Sequence, residues 1–241
     1  MSRFDPADAA SVRRLFDSIA PRYDQLNDLL SLGLHRLWKR QAVAVLAPRP
    51  GQRLLDLCCG TGDLALVLAG RVRPSGLVVG LDAAAAPLAL ARRRAAAQPW
   101  LPLQWRCADA LASGLAAGWA DGAAMAYGLR NLGDPARALA ELHRLLRPGG
   151  RAAVLDFNRP DPADGPAARG VEAFQRLYLR GVVVPTATAL GLAEAYAYLD
   201  ESLRRFPTAA EQQRLALAAG FRSARHRPLA GGLMGCLELV A

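Results

Sequence analysis

The sequence predicts an α/β chain, a mostly parallel sheet with helices wound over both faces. Three observations carry that expectation. Short apolar runs alternate with stretches of helical spacing from Arg53 to Asp156. A glycine pair, Gly60 and Gly62, stands between the first run and the helix that follows it. Carboxylates stand where later runs end, at Asp82, Asp109 and Asp156. Such alternation implies parallel strands, because a parallel pair needs a crossover and a helix supplies it. In these sheets the ligand binds at the carboxyl ends of the strands, where the glycines and carboxylates are. The expected architecture is a Rossmann-like doubly wound sheet with an antiparallel last strand. N-terminal helices precede it, and a helical insertion follows the fifth strand.

From the amino terminus, Ser11 to Leu46 reads as helical. Val12, Leu15, Phe16 and Ile19 recur at helical spacing, and Pro21 is expected to interrupt the pattern. Tyr23, Leu26, Leu29, Leu30, Leu32 and Leu34 then lead to Trp38, and Pro48 to Gly51 is a turn. Strands are expected at Arg53–Cys58, Leu77–Leu81, Leu103–Arg106, Ala120–Tyr127 and Arg151–Asp156. Helices are expected at Gly62–Ala69, Ala85–Ala97 and Pro135–Leu146, the last capped by Asp134 and stopped by Pro148-Gly149-Gly150. Beyond a loop rich in Pro and Asp, the helices Ala168–Arg180 and Leu190–Leu199 hold Phe174, Tyr178, Tyr196 and Tyr198. A helix Ala209–Ala219 and strands Phe221–Arg227 and Cys236–Val240 follow. One domain is expected: a helical cap over 1–50, a cofactor-binding core over 51–160, a helical lid over 161–207, and a C-terminal helix and strands over 208–241.

Hydrophobic residues make up 52% of the 241, enough for a sizeable core. The formal net charge is +9, yet Lys39 is the only lysine and the arginines are dispersed. The longest basic cluster, Arg92-Arg93-Arg94, reads as the solvated end of a helix. Charge of this kind is weak support for a nucleic-acid partner, and none is expected. Cys58, Cys59, Cys107 and Cys236 contain no Cys-x-x-Cys pair, and the histidines are scattered. The cysteines therefore read as buried reduced thiols, and no metal is expected. No stretch approaches the roughly 18 uninterrupted apolar residues of a membrane span. Met1 to Arg14 lacks the apolar stretch of a signal peptide.

The most informative stretch is Leu54-Leu55-Asp56-Leu57-Cys58-Cys59-Gly60-Thr61-Gly62-Asp63. Without Cβ atoms at Gly60 and Gly62 the backbone can turn sharply and approach a ligand closely. The glycines alone also fit a dinucleotide loop. The acids separate the two readings. A pyrophosphate here would face Asp56 and Asp63, whereas S-adenosyl-L-methionine has no phosphate and carries a sulfonium and an ammonium that carboxylates attract. Asp82, twenty residues after Gly62, can accept from both ribose hydroxyls. Asp109 can accept from the adenine amino group. Thr61, Ala110, Ala126 and Tyr127 complete the expected cofactor-binding set with Asp56, Gly60, Gly62, Asp63, Asp82 and Asp109.

Tyr127-Gly128-Leu129-Arg130-Asn131-Leu132 follows the fourth strand, where the loop faces the transferred methyl. Arg130 and Asn131 are candidates to hold a substrate oxygen and orient a water. The plainer alternative for Arg130 is an ion pair with a structural acid. Asp156 either touches substrate or caps the sheet. Before the first strand, Phe16-Asp17-x-Ile19-Ala20-x-Arg22-Tyr23-Asp24 is placed to fold over a pocket, and Tyr23 can donate to a substrate oxygen. His35, beside Leu and Trp, reads as a packing residue.

Together these stretches resemble the quinone-biosynthesis C-methyltransferases, the family of demethylmenaquinone and 2-methoxy-6-polyprenyl-1,4-benzoquinol methyltransferases. The resemblance covers nearly the whole chain. It rests on Phe16 to Asp24, Ser31 to Trp38, Asp56 to Asp63, Gly128 to Asn131 and Arg147 to Gly150. The glycine loop is shared by many methyltransferases, while the Arg-Tyr-Asp and Gly-Leu-Arg-Asn stretches are more restricted. Val154 to Pro160, Val182 to Pro185 and Tyr196 to Pro207 are similar to the phylloquinone branch of oxygenic photosynthetic bacteria. Two positions depart from the pattern. Ala126 stands where Ser is frequent, and Asp82-Ala83-Ala84 stands where an Asp-Phe-Ser-like turn is usual.

The resemblance implies a class I S-adenosyl-L-methionine methyltransferase in which a ring carbon of a reduced, membrane-resident prenylated quinol attacks the cofactor methyl. The expected acceptor is 2-phytyl-1,4-naphthoquinol, with demethylmenaquinol or a polyprenyl-benzoquinol as the alternative. A quinol ring is electron-rich where a quinone ring is not. A phenolic proton must leave, and Arg130, Asn131 and Tyr23 around a water are the implied catalytic set. Arg130 stays protonated, so its implied role is to stabilise the quinolate. Further expectations are a cytoplasmic protein, transient peripheral contact with a thylakoid or plasma membrane, and a homodimer as an open question. The expected docking surface is the N-terminal helices with Phe174 to Tyr198, against the alternative of a lid packed on the core. Three rivals are weaker. One is methylation of RNA or of a soluble small molecule, and against RNA stands the lack of an appended binding domain and of an aromatic-basic groove pattern. A silent binding protein would not need an intact acidic loop. A nicotinamide reductase meets the wrong charges.

Overall fold

The computed structural model describes residues 8–31, 33–161, 163, 165–189 and 193–241, with side chains at 21–30, 187, 189 and 193–197 outside the description. Helices α1 (Ala9–Ser31) and α2 (Leu34–Leu46) precede a seven-stranded sheet. Strands β1 (Arg53–Leu57), β2 (Leu77–Asp82), β3 (Leu103–Cys107), β4 (Ala120–Ala126) and β5 (Leu146–Phe157) run parallel. The last two, β6 (Ser223–Leu229) and β7 (Met234–Val240), pair antiparallel, and β7 is also antiparallel to β5. The spatial order is β3-β2-β1-β4-β5-β7-β6. Strand order reverses between β1 and β4, which opens a crevice at their carboxyl ends.

The sequence of β1 shows why it sits in the middle. Leu54, Leu55, Asp56 and Leu57 are all buried, as a strand covered on both faces requires. Leu54 packs with Val43 and Leu46 of α2 and with Leu64 and Leu68 of α3 (Asp63–Val72). Leu55 and Leu57 pack on the opposite face with Leu139 and Leu142 of α5 (Pro135–Leu145) and Ala216 of α9 (Ala209–Ala218). α4 (Ala85–Ala96) makes the crossover from β2 to β3. Asp134 caps α5 as expected, its side chain accepting from Arg137 N with Pro135 in the first turn.

Several expectations need correction. Pro21 does not interrupt the first helix, because α1 runs through it. A proline removes one donor, and the burial of Val12, Leu15, Ile19 and Ala20 on one face outweighs that local preference. The stretch between Arg180 and Leu190 is helical as far as Ala189. There α6 (Pro166–Tyr178) passes through a π-helical segment, Leu179–Val183, into α7 (Val184–Ala189). Pro185 cannot donate an amide hydrogen bond, and the wider π turn just before it accommodates that loss. Leu179 and Val183 then bury against Val12, Leu15 and Ile19, tying α1 to α8 (Ala193–Arg205) through Tyr198 and Leu203. Strand β5 starts at Leu146 and runs through Pro148-Gly149-Gly150, and a bulge between Ala120 and Gly122 absorbs the change of register. Cys59 and Cys236 are buried thiols, but Cys58 is half-buried and Cys107 is exposed. Among the described residues no helix is long and apolar enough to cross a membrane.

Candidate cofactor and acceptor site

The carboxyl ends of β1 to β4 open onto a cleft of about 1180 Å³, part of it open to solvent. The loops after the four strands form its floor, and α1 and α2 cover it with Val12, Arg13, Phe16 and Lys39. Asp56, Gly60, Thr61, Asp63, Asp82, Asp109, Ala110, Ala126 and Tyr127 all line it, so the geometry gathers nine of the ten expected cofactor residues. The tenth, Gly62, shapes the loop from behind. Its φ of 84° is left-handed, and a Cβ there would stand 2.6 Å from the Trp105 ring. Only glycine meets both demands at the start of α3.

Each carboxylate is anchored before any ligand arrives. Asp82 Oδ2 accepts from Gly60 N and its Oδ1 from Ala84 N, both at 2.8 Å, which ties the glycine loop to the end of β2. Burial raises the Asp82 pKa, against those two hydrogen bonds. Asp56 is 1% exposed and accepts from Ala65 N at 2.8 Å in the first turn of α3. Burial pushes its carboxyl up to about 7, and the charges of Asp82 and Asp63 add to the effect. Ala65 N–H and Lys39 oppose it without prevailing. Asp109 Oδ1 accepts from Leu111 N at 2.8 Å.

Asp63 differs from the others. It receives Lys39 Nζ at 2.8 Å and Arg94 Nη2 at 2.6 Å. Burial alone would raise its pKa, but the two cations hold it down to about 2. Arg94 is exposed at the end of α4, as expected, but it is also engaged at the cleft. Its Nη1 also donates to Thr61 O at 3.0 Å and Thr61 Oγ1 at 3.1 Å, fastening the glycine loop from outside.

Two residues other than glycine hold left-handed backbone at the mouth of the sheet. They are Cys58, φ 55°, after β1, and Tyr127, φ 59°, after the neighbouring β4. Such conformations are costly away from glycine and concentrate at ligand sites. Gly128 lets these two turns meet, because a Cβ there would stand 2.6 Å from Cys58 Cβ.

The catalytic candidates separate. Arg130 lies in a short 3-10 turn, Leu129–Asn131, outside the main cleft. Its Nη1 pairs with Asp156 Oδ1 at 2.8 Å, with the two side chains 9% and 3% exposed, and also donates to Tyr127 O at 2.9 Å. The guanidinium lies 5.2 Å from the centre of the Phe157 ring. Arg130 instead lines an adjoining cavity of about 490 Å³ with Leu132, Tyr198, Arg205 and Phe206. Asn131 lines both cavities. Its Nδ2 donates to Tyr127 O at 2.8 Å, and its buried Oδ1 finds no partner among the described residues. Tyr23 is on α1, but its side chain lies outside the described residues. His35 is buried with Nδ1 at 2.8 Å from Ser31 Oγ, which agrees with a packing role. Lys39, Arg94 and Phe16 were not read as site residues. The one available signal was that Lys39 is a single lysine in a chain of arginines.

The comparisons with known proteins agree with this geometry. The sequence matches the profile of the ubiE/COQ5 methyltransferase family over residues 5–238. It is 48% identical to a 2-phytyl-1,4-naphthoquinone methyltransferase of Nostoc sp., over 94% of this chain and 96% of that one. It is 43% identical to the chloroplastic 2-phytyl-1,4-beta-naphthoquinone methyltransferase of Arabidopsis thaliana, over 93% of this chain and 85% of that one. The structure of an S-adenosylmethionine-dependent methyltransferase from Aquifex aeolicus superposes with a TM-score of 0.63 at 16% identity, covering 90% of this chain and 97% of that one. That last likeness speaks to the fold.

Proposed function

The chain belongs to the ubiE/COQ5 methyltransferase family, and from that premise we propose that it methylates a ring carbon of 2-phytyl-1,4-naphthoquinol. It is an S-adenosyl-L-methionine-dependent methyltransferase. The observation that carries the acceptor is 48% identity, over nearly the full length of both chains, to an enzyme named for that quinone.

The cleft suits the cofactor by its chemistry. Four carboxylates, Asp56, Asp63, Asp82 and Asp109, face one space, and a buried acid with its pKa near 7 is a group that a cation would settle in its charged form. Bound there, the cofactor supplies an electrophilic methyl on a cationic sulfur. On this reading Asp82, already oriented by Gly60 and Ala84, accepts from the ribose hydroxyls, and Asp109 accepts from the adenine amino group. Asp56 supplies the negative field, and Asp63 takes part through the Lys39 and Arg94 side chains that it holds. Thr61 and Gly60 shape the loop against the ligand, and Ala110, Ala126 and Tyr127 complete the walls.

The adjoining cavity suits the acceptor ring. Its wall combines Leu132, Tyr198 and Phe206 with the cation of Arg130, which Asp156 holds in one orientation. A fixed cation at that wall stabilises negative charge growing on the quinol oxygen. Asn131 stands at the seam of the two spaces, where its Oδ1 can accept from the phenolic hydroxyl or from a water that takes its proton. Tyr23 remains a candidate donor from α1. Aligning the ring carbon with the methyl across this seam is the main catalytic task.

The reading extends to the membrane and to the division of the chain. Phe174, Leu177, Val182 and Val184 are exposed on α6 to α7, Leu177 at 70%, beside Arg176 and Arg180. Such a surface supports transient docking on anionic lipid, where a phytyl-tailed acceptor resides. Leu26, Leu29 and Leu30 of the N-terminal helices, expected to join it, have side chains outside the described residues, and Val183, also expected on this surface, is buried at 2% exposure. The shared packing of α1 with Leu179 and Val183 supports one domain with a cap, core and lid.

Mass spectrometry of the product after incubation with isotope-labelled cofactor tests the function. Label should enter the phytyl-naphthoquinone only when dithionite keeps it reduced. Equal rates on quinone and quinol would overturn the electron-rich-ring mechanism. Transfer to demethylmenaquinol alone would reassign the acceptor.

A further inference from the structure

The cofactor carries both signs at its amino-acid end, an ammonium and a carboxylate, yet the cleft wall is dominated by acids. Those acids attract the sulfonium and the ammonium and repel the carboxylate. Something on the wall must offset that repulsion, and the sheet order says where to look. Asp82 and Asp109 lie toward β2 and β3, on the side given above to ribose and adenine. The amino-acid end then falls toward β1 and β4, where Lys39 and Tyr127 line the cleft.

We propose that Lys39 binds the carboxylate of the cofactor's amino-acid end, and that the Lys39–Asp63–Arg94 cluster is a built anion site in an otherwise acidic cleft. The assignment rests on the reading that S-adenosyl-L-methionine occupies this cleft. Asp63 serves two cations, Lys39 at 2.8 Å and Arg94 at 2.6 Å, so the three side chains carry one net positive charge. Arg94 also donates to Thr61, and it approaches from the α4 side without lining the cleft. Lys39 does line it, with its side chain 15% exposed and its Nζ 5.9 Å from the centre of the Tyr127 ring. An ammonium has three N–H donors, and Asp63 takes one. Arg13, the other cation on the lining, is exposed. The single lysine of the chain thus stands where a compact cation must serve an anchored acid and an incoming one together.

The test compares two ligands that differ at this end. S-adenosylhomocysteine keeps the amino-acid group, and 5′-methylthioadenosine lacks it. Calorimetry on the wild type should show tighter binding of S-adenosylhomocysteine. In Lys39→Met that preference should shrink about tenfold or more, as expected for losing a charge-assisted hydrogen bond, while methylthioadenosine affinity stays within twofold. A preference unchanged in Lys39→Met overturns the proposal and leaves the cofactor site standing. Failure of both ligands to bind wild-type protein overturns the site itself and this proposal with it. A second measurement needs no variant. Because Lys39 is the only lysine, acetylation by an amine-reactive ester, scored by mass against the amino-terminal amine, reports on this one side chain. S-adenosylhomocysteine should protect Lys39 several-fold and methylthioadenosine should not. Equal protection by both ligands, or by neither, contradicts a carboxylate contact.

Discussion

On the sheet side of the cleft, Asp56, Asp82 and Asp109 accept from backbone N–H groups, and Asp63 is clasped between two cations. Away from the cleft lining, along α6 to α7, Phe174, Leu177, Val182 and Val184 are exposed, and α6 has no buried residue. The difference separates two kinds of recognition. On the proposed reading, a small polar cofactor with three charged groups would be bound by groups oriented in advance, because reorienting buried dipoles during binding costs affinity. On the same reading, a lipid-tailed acceptor would be met by apolar surface, which is non-directional and needs area more than angles. Substitutions on the two sides should therefore fail in different ways.

The largest effect is expected deep in the sheet side. Arg130→Ala leaves Asp156 buried at 3% exposure without its guanidinium, and breaking such a pair costs about 3–5 kcal/mol. Urea unfolding should show that loss, with methyl transfer abolished. The double variant Arg130→Met, Asp156→Asn removes both charges while keeping an acceptor for Arg130 N, and it should recover much of the stability. If methyl transfer returns with stability, Arg130 serves the fold alone. If transfer stays lost while cofactor still binds, Arg130 acts on the acceptor.

Next in size is Asp82→Ala, which removes a charged acceptor worth about 1.5–3 kcal/mol. Cofactor affinity by calorimetry should fall at least tenfold. Unchanged affinity in a folded variant would remove Asp82 from the site.

A smaller, pH-dependent effect belongs to Asp56. Its folded pKa, about 7, lies above the 3.8 of an aspartate in water. The folded state therefore holds this proton more tightly, and the contribution to stability is complete below pH 4 and lost as pH rises through about 7. Asp56→Asn cannot ionise and can still accept from Ala65 N. Its stability relative to wild type should improve steadily from pH 4 to pH 7. A difference that is flat across that window would show that Asp56 titrates normally.

The smallest effect on stability is expected on the lid. Leu177→Asp changes a side chain that is 70% exposed, so stability should move by about 0.5 kcal/mol or less. Sedimentation with anionic liposomes, and transfer to quinol held in them, should nevertheless drop. If both are unchanged, the exposed face is not the docking surface.

Much of this was legible in the residues. The strand and helix alternation, the Asp134 cap, and the gathering of the Asp56–Asp63 loop with Asp82 and Asp109 all follow from local pattern and from the rule that ligands sit at strand carboxyl ends. The two lid helices were legible, but the link between them was not, because Pro185 signals a break and only tertiary burial of Leu179 and Val183 keeps the chain helical across it. The partners of Arg94 were not legible for a related reason. A basic run at a helix end normally faces water, and nothing in α4 announces that Asp63 and Thr61 will lie beside it.

What the sequence determined by itself is chemistry that depends on residue type at short range. It set glycines where the loop must turn left-handed, carboxylates at the strand ends that line the cleft, and apolar runs where strands are buried on both faces. The tertiary structure alone decided which charges meet. It drew Arg130 to Asp156 across 26 residues and Lys39 to Asp63 across 24. It also left Asn131 Oδ1 at the seam of two cavities. The reason is range. Backbone conformation answers to neighbours within a turn or two, whereas an ion pair needs only that two groups come within a few ångströms. For residues this far apart, that distance is settled by the packing of the sheet and helices between them.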